Sequence, residues 1–265
     1  DRLIPDPQGQ GVARADLIIE AIFENLEVKR SLFADLEARA RPDAVLATNT
    51  SSLRLEDIAT ALKDPSRLVG IHFFNPVPML PLVEVVQGEV TDAEVLRRAT
   101  GFVRRIDKLP LPVKSAPGFL VNAVLGPYML EALRCVEEGI APETVDAALT
   151  AFGMPMGPVE LVDTVGLDVA LAAGKQLADG AEAPRCLAER VAAGQLGKKS
   201  GRGFYDWSSG KPAKAAAGAV PAGLAEKLVR PLVDRTQALV DAGIVADADL
   251  ADAGVIFGTG FAPFT

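Results

Sequence analysis

The first part of the chain alternates between apolar runs and segments with helical periodicity. ADLIIEAIF (15–23) is almost continuously apolar, as strands buried on both faces of a parallel sheet are. In NLEVKRSLFADLEARA (25–40), apolar residues recur every three or four positions between charges, which predicts a helix. The further predicted strands are AVLATNTSS (44–52), RLVGIHFF (67–74) and LVEVVQG (82–88), and the further helical segments are LEDIATAL (55–62) and the amphipathic DAEVLRRATGFVRRI (92–106). KLPLPVKS (108–115) closes this part of the chain. Repeated strand–helix units indicate a doubly wound α/β sheet.

This predicted sheet lacks the usual beginning of a dinucleotide-binding domain. Such a domain opens with a strand, a GxGxxG turn and a helix whose N-terminus receives the pyrophosphate. GQGVAR (9–14) follows PDP instead of a strand, and GRGF (201–204) and GTGF (258–261) stand in the wrong context. We therefore expect an incomplete Rossmann-like sheet and interpret the chain as a fragment.

From Ser115 onward the pattern becomes helical. The segments 117–139, 141–153 and 157–178 are predicted as helices, and the small-residue stretch 208–223 as a linker. Beyond it, LVRPLVDRTQALVDAGI (228–244) echoes VLGPYMLEALRCVEEGI (124–140), with Pro, Gly and Ile recurring at the same offset. This repetition indicates a duplicated helical unit whose second copy is cut short at Thr265.

Composition narrows the class of protein. The 265 residues are 49% hydrophobic and 23% charged, which is typical of a globular chain with room for two domains. The net charge of −8 argues against nucleic acid as a partner, since phosphate binding needs a basic face. No apolar run reaches the roughly 18 residues of a membrane span, and the first residues do not resemble a signal peptide.

The two cysteines and the single histidine bear on metal and redox chemistry. Cys135 and Cys186 match no CxxC pattern, and one histidine cannot complete a Cys/His zinc site, so we expect no metal. Reduced cysteines, with Cys135 in a helix core, predict a cytoplasmic protein.

Two polar clusters follow predicted strands, where open α/β sheets bind their ligands. They are TNTSS (48–52) and HFFN (72–75). His72 is the only imidazole in the chain, and Glu84 is a lone carboxylate in an apolar strand. The hypothesis is that Glu84 accepts one ring N–H and His72 takes a hydroxyl proton on its other nitrogen.

Structural alternatives exist for both clusters. His72 could be a buried residue bound to a backbone carbonyl, with Glu84 on a solvated face, although the apolar flanks of Glu84 indicate burial. Asn49 to Ser52 could cap the helix that begins near Leu55. SAPGF (115–119) precedes a predicted helix with Ser115 or a neighbour as its cap. Asn122 lies in the first turns of this helix, and its amide could donate to a carbonyl oxygen.

Taken together, six stretches resemble the successive signature segments of the 3-hydroxyacyl-CoA dehydrogenase family. They stand in family order over most of residues 15–207: EAIFENLEVKRSLFADLE, ATNTSSL, GIHFFNPVPMLPLVEVV, APGFLVNAVLGPYMLEA, GMPMGPVELVDTVGLD and GKKSGRGFYDW. The ending VIFGTGFAPF and the tandem helical unit are similar to the multifunctional α subunit of fatty-acid oxidation complexes. The resemblance implies NAD-dependent oxidation of a 3-hydroxyacyl-CoA to the 3-oxoacyl-CoA.

The resemblance also implies roles for single residues. His72 would be the general base and Glu84 its orienting carboxylate, while Ser51 would bind the substrate oxygen and Asn122 the acyl carbonyl. Contacts to NAD would come from Glu24, Lys29, Asn49, Asn75 and Lys199. In the duplicated unit Glu226 takes the place of Asn122, so the second copy is expected to be structural.

The predicted fold class is therefore α/β plus all-α, with tandem helical domains after the incomplete sheet. The predicted domains are a partial NAD-binding Rossmann-like domain (1–114), a helical substrate domain (115–207), and a linker with a truncated second helical domain (208–265). The expected partners are the acyl-CoA substrate, a thiolase-type subunit and further copies of the chain.

Two other functions stay open from the sequence alone. The chain could be a binding module that docks acyl-CoA or a partner subunit without catalysis, because the Gly-rich turn is missing. A different hydroxyacid reductase of similar plan fits less well, since those enzymes generally use a lysine on the helical domain.

Overall fold

The computed structural model describes residues 3–177 and 183–261, which fall into two compact units. The first unit contains the residues up to Phe119 together with Gly243–Ala246, and the second contains Leu120–Ala242 and the residues from Asp247 onward. The predicted third domain contributes residues to both units. The three-domain division of the sequence stays a prediction.

The first unit is built on one five-stranded sheet. Its strands follow the spatial order β1 (Leu17–Glu20), β2 (Val45–Thr48), β3 (Leu68–Phe73), β4 (Leu82–Gln87) and β5 (Leu109–Lys114). Three helices accompany it, namely α1 (Leu26–Arg39), α2 (Leu55–Ala59) and α3 (Ala93–Arg105). The apolar face of α3 packs on β2, β3 and β4 around Val69 and Ile71, which are both fully buried. The predicted α/β class is thus confirmed for this unit.

The direction of β4 departs from a simple doubly wound sheet. β1, β2 and β3 are parallel, and β5 is parallel to β4, but β4 runs antiparallel to β3. The connection is the short loop 74–81, whereas a parallel crossover takes roughly a dozen residues or more. This pairing places His72 directly opposite Glu84, with both side chains on one face.

The described part of the second unit is helical. Its helices are α4 (Val121–Glu137), α5 (Pro142–Phe152), α6 (Pro158–Val165), α7 (Leu167–Leu177), α8 (Arg185–Ala192), α9 (Leu224–Asp241) and α10 (Ala248–Thr259). The prediction of a single helix over 157–178 is wrong, because α6 ends at Val165 and its C-cap Gly166 has the non-helical angles φ 107° and ψ 128°. Residue 178, like the end of the VIFGTGFAPF stretch, lies outside the described residues.

The two repeated segments form equivalent helices. α4 and α9 pack against each other, and each contains an internal proline, Pro127 and Pro231. Asn122 and Glu226 both lie in the first turn of their helix. Each helix is followed by a glycine at positive φ, 98° at Gly139 and 65° at Gly243, a conformation that residues with a Cβ adopt at a cost.

Both cysteines are free thiols in the second unit. Cys135 is fully buried in α4, as expected, and burial raises the pKa of Cys186 in α8 to about 11. None of the helices in the described part of the chain combines the length and apolar character that a bilayer crossing requires. Those same residues contain no cluster of His, Cys, Asp or Glu that could bind a metal ion.

The close packing of β3 against β4 leads to a stability prediction. A Cβ at Gly70 would lie 2.6 Å from the Cβ of the buried Val86, so Gly70→Ala should lower the free energy of unfolding by about 1–3 kcal/mol. Gly101→Ala is the matched control, because Gly101 lies inside α3 with nothing within 4 Å of an added Cβ. That change should stabilise the chain by about 1 kcal/mol. Urea denaturation measures both values, and equal effects would contradict the packing argument.

Candidate active site

The parallel strands of the first unit bring several predicted site residues to one edge of the sheet. Glu20 at the end of β1 is in register with Thr48 at the end of β2, and Thr48 with Gly70 of β3. The segments that follow these strand ends carry the predicted residues Glu24, Asn49, Ser51 and Asn75, and His72 itself lies near the end of β3. Residues far apart in sequence therefore meet at the edge where open sheets bind ligands.

His72 and Glu84 form a buried hydrogen-bonded pair. Nδ1 of His72 lies 2.7 Å from Oε2 of Glu84, and their side chains are 6% and 0% exposed. With the carboxylate as acceptor, Nδ1 carries a proton, and in the neutral form of the ring Nε2 then keeps its lone pair. The alternative that Glu84 lies on a solvated face is wrong, because its side chain is 0% exposed.

Two aromatic rings hold the imidazole from the sides. Phe74 meets the His72 ring edge-on at 4.5 Å between ring centroids, and Phe119 does so at 5.8 Å. Such edge-to-face contacts favour one ring plane, so the imidazole is restrained both by its hydrogen bond and by packing.

Glu24 binds the turn after β2. Its Oε1 accepts hydrogen bonds from the backbone N–H groups of Ser51 and Ser52, at 3.1 and 3.3 Å, and from the hydroxyls of Thr50 and Ser52. Burial opposes the ionisation of Glu24, but the Thr50 hydroxyl and the charge of Lys29 outweigh it and lower the pKa of the carboxyl. Glu24 thus holds the segment that carries Ser51.

Lys29 lies beneath this turn and is almost inaccessible. It is 1% exposed, and its Nζ lies 2.7 Å from Oε1 of Glu20 and 3.2 Å from Oε2 of Glu24. Two carboxylates therefore share its charge inside the protein. Direct contact between Lys29 and NAD stays a prediction.

The two asparagines of this edge differ in their surroundings. Asn49 is half-buried, and its Oδ1 accepts the N–H of Phe73 at 2.9 Å, which joins the turn after β2 to the end of β3. Asn75 is exposed in the loop after β3, where its peptide bond to Pro76 is cis. Of the two, the Asn75 side chain is the more accessible to a bound molecule.

The capping roles predicted near this edge are wrong. Ser115 does not cap the helix that carries Asn122, since α4 has Leu120 at its N-cap position and no side-chain cap there. Instead the Ser115 hydroxyl accepts the N–H of Leu55, the first residue of α2, at 3.0 Å. Residues 49–52 do not cap α2 either, because its N-cap position is Arg54 and the side chain there makes no capping hydrogen bond.

The two remaining predicted residues lie in the second unit. Asn122 is the second residue of α4, as the sequence predicted. Lys199 is about half exposed in a short turn, and its Nζ donates to Oδ2 of Asp168 at 2.6 Å. The Lys199 charge also holds the pKa of Asp168 below its usual range, mainly through this hydrogen bond.

Sequence reasoning missed residues that shape this edge, among them Glu20 and Phe119. Glu20 carries the same signal that singled out Glu84, an acidic residue in an otherwise apolar strand that must find a partner if buried. Phe119 carries no comparable signal, because an aromatic residue near the start of a helix is commonly part of a core.

Comparison with known proteins adds evidence from whole domains. Residues 2–116 match the NAD binding domain of 3-hydroxyacyl-CoA dehydrogenase, and residues 118–207 match the C-terminal domain of the same family. The chain is 36% identical to the fatty acid oxidation complex subunit alpha of Vibrio cholerae over 96% of its own length. It spans 38% of the length of that relative.

Solved structures give the same result. The 3-hydroxybutyryl-CoA dehydrogenase of Escherichia coli matches with a TM-score of 0.75 and 43% identity, over 84% of this chain and 49% of that one. FadB2 of Mycobacterium tuberculosis matches with a TM-score of 0.72 and 44% identity, over 74% of this chain and 72% of that one. The expected family fold and its NAD-binding domain are confirmed, and the chain belongs to the 3-hydroxyacyl-CoA dehydrogenase family.

Proposed function

We propose that this chain supplies the catalytic residues for the NAD-dependent oxidation of 3-hydroxyacyl-CoA to 3-oxoacyl-CoA in fatty-acid oxidation. The observation that carries the proposal is the buried His72–Glu84 pair near the carboxyl end of β3. Its position agrees with the rule that open α/β sheets bind ligands beyond this end of their strands. A non-catalytic docking module would have no need for a buried imidazole oriented by a carboxylate.

His72 acts as the general base in this proposal. Nε2 takes the proton of the substrate 3-hydroxyl while Nδ1–H stays bound to Glu84, so the imidazolium that forms has a carboxylate beside it. When bound, NAD would supply the acceptor for the hydride at C3 of the substrate. The loss of one proton and one hydride converts the hydroxyl to a carbonyl, and the burial of the pair keeps solvent from competing for the base.

Ser51 and Asn122 position the substrate. Ser51 lies in the turn that Glu24 binds and would donate its hydroxyl to the substrate oxygen. Asn122, in the first turn of α4, would donate its amide to the acyl carbonyl. The Ser51 hydroxyl is a neutral donor, which suits the 3-hydroxyl oxygen, whose negative charge grows as its proton leaves.

The residues of this edge fit the ribose and nicotinamide half of NAD. Glu24 and Asn49 are a carboxylate and an amide next to the Ser51 turn, and Asn75 offers an exposed amide. Such groups bind ribose hydroxyls and a carboxamide. For Lys199, the resemblance is the only support for a contact to NAD, and the charge of Lys29 is shared by the carboxylates of Glu20 and Glu24. For the pyrophosphate the family uses the Gly-rich turn, which the 265 residues do not contain.

The partners and location follow from the same proposal. The substrate would be an acyl-CoA, and the name of the Vibrio cholerae relative describes a subunit of a complex. We extend this to a thiolase-type partner subunit for this chain, with self-association as a second assembly. Two free thiols, one buried and one half-buried, agree with a cytoplasmic location.

The proposed function is tested by turnover in two forms of the protein. One is the 265-residue chain, and the other is an NAD-competent version in which the family's Gly-rich strand, turn and helix are joined ahead of it. We expect the NAD-competent version to oxidise NADH with acetoacetyl-CoA. We expect the 265-residue chain to show no turnover and far weaker NADH binding in calorimetry, because most of the cofactor's charge has no partner.

Two results would contradict these expectations. An inactive but folded NAD-competent version that still binds acetoacetyl-CoA would favour the docking module over the enzyme. Micromolar NADH binding by the 265-residue chain would show that it holds the pyrophosphate by some other group.

The lowered pKa of Glu24 leads to a pH prediction. A carboxyl whose pKa is depressed on folding stabilises the native state above its ordinary value of 4.5, and this contribution is lost as the pH falls through the lower folded pKa. The stability difference between wild type and Glu24→Gln should therefore be largest near neutral pH and shrink below pH 4.5. Thermal unfolding across this range measures it, and a difference independent of pH would contradict the assignment.

A further inference from the structure

Glu20 is a buried carboxylate to which no role has been assigned. It is the last residue of β1 and is 3% exposed. Its Oε1 accepts the ammonium of Lys29 and the N–H of Ile22, both at 2.7 Å, and its Oε2 accepts the hydroxyl of Thr48 at 2.7 Å. Leaving this buried carboxylate, or any of its three donors, without a partner would be costly.

Two chains of contacts run from Glu20 to the turn that carries Ser51. In the first, Thr48 donates its hydroxyl to Glu20 and accepts the N–H of Thr50 at 3.2 Å on the same oxygen. In the second, Lys29 contacts both Glu20 and Glu24, and Glu24 accepts the N–H groups of Ser51 and Ser52. Glu20 is thus joined to the turn through a neutral and a charged partner.

We propose that Glu20 is a positioning residue that fixes the Ser51 turn, and through it the donor to the substrate oxygen. This inference rests on the proposed function, since it takes Ser51 as the substrate-binding residue. The carboxylate has only acceptor oxygens, so it directs the Thr48 hydroxyl hydrogen towards itself and leaves a lone pair for Thr50. Its ion pair with Lys29 also fixes the position of the ammonium group that Glu24 contacts.

Two substitutions break these chains at different points. Glu20→Gln keeps the size of the side chain but replaces one acceptor oxygen by a donor, so three donors can no longer all be accepted. Thr48→Val removes only the hydroxyl, whereas Thr48→Ser retains it and serves as the conservative variant. Arg67→Gln is the matched control. Arg67 is also buried, and it donates to the carbonyl of Ala44 at 3.0 Å. These two residues directly precede β3 and β2, at the ends of the strands away from the Ser51 turn.

Amide hydrogen exchange in the 265-residue chain is the first readout and does not depend on activity. We expect residues 49–53 to exchange about tenfold faster or more in Glu20→Gln and in Thr48→Val, with β3 and β4 unchanged. Thr48→Ser should resemble wild type. Arg67→Gln should lower the melting temperature without a selective effect on residues 49–53.

Turnover of the NAD-competent version is the second readout. We expect kcat to fall about 10- to 100-fold in Glu20→Gln and in Thr48→Val, with a smaller change in KM, since a small misplacement of a positioned group costs up to this much. Thr48→Ser and Arg67→Gln should keep the kcat of wild type.

The outcomes separate the two proposals. The role of Glu20 is overturned if Glu20→Gln and Thr48→Val both leave the exchange rate at residues 49–53 unchanged, or raise it equally along the whole chain. A wild-type kcat in both variants overturns it as well. If Glu20→Gln does not fold, Thr48→Val gives the decision alone. An inactive wild-type NAD-competent version overturns the proposed function, while the exchange data still decide whether Glu20 orders the turn.

Discussion

Replacing His72 by Gln should lower the turnover of the NAD-competent version by about 10²–10⁴-fold, which is the usual contribution of a positioned general base. Gln retains a polar side chain of similar length, but its amide cannot take up a proton near neutral pH. Since the imidazole is buried against Glu84, Phe74 and Phe119, the substitution should also cost some stability. The expected result is thus a folded protein with almost no activity.

The measurement is single-turnover oxidation of 3-hydroxybutyryl-CoA, with NADH binding determined separately by calorimetry. NADH binding close to that of wild type would show that the cofactor edge is intact. Turnover within a factor of a few of wild type would exclude His72 as the base. Exposed Asp57→Asn, on α2, serves as a control that should leave turnover unchanged.

Replacing Glu84 by Gln should lower turnover by about 10²–10⁴-fold while the chain stays folded. A carboxylate fixes the ring with Nδ1 protonated and stabilises the imidazolium formed during oxidation. Gln fills the same space but carries no charge. It can also present its NH₂ group to Nδ1, which would favour the other tautomer and place the proton on Nε2, the nitrogen that must accept one.

The test for Glu84 compares turnover with thermal stability. We expect the loss in kcat to exceed by far what the fraction of unfolded protein accounts for. A variant that unfolds readily yet retains full specific activity would make Glu84 a purely structural residue.

Much of this site follows from local sequence, and the remainder depends on contacts between distant residues. His72 and Glu84 stand out because each is the wrong residue type for an apolar strand. The antiparallel course of β4 could also have been predicted, since loop 74–81 is too short for a crossover.

Other features have no local signal. Lys29 lies in a charged helical segment whose pattern predicts a solvated side chain. Its burial is explained only by the ion pairs with Glu20 and Glu24. Ser115 precedes a helix and has the usual residue type of a cap, yet it binds the N–H of Leu55 from sixty residues away. The break at Gly166 is hidden by apolar periodicity on both sides, which continues as if one helix ran through it.

The hairpin of β3 and β4 also has a consequence for how the site forms as the chain folds. His72 and Glu84 are twelve residues apart in sequence, whereas the contact of Glu20 with Thr48 joins residues twenty-eight apart. The entropy lost on closing a flexible loop grows with its length, so the hairpin pair costs less to bring together than the edge that carries Ser51. The base and its carboxylate therefore belong to a local element of low contact order. Substitutions near the carboxyl end of β1 should leave this pair assembled. A variant of this chain can therefore lose cofactor binding and still retain the base with its carboxylate.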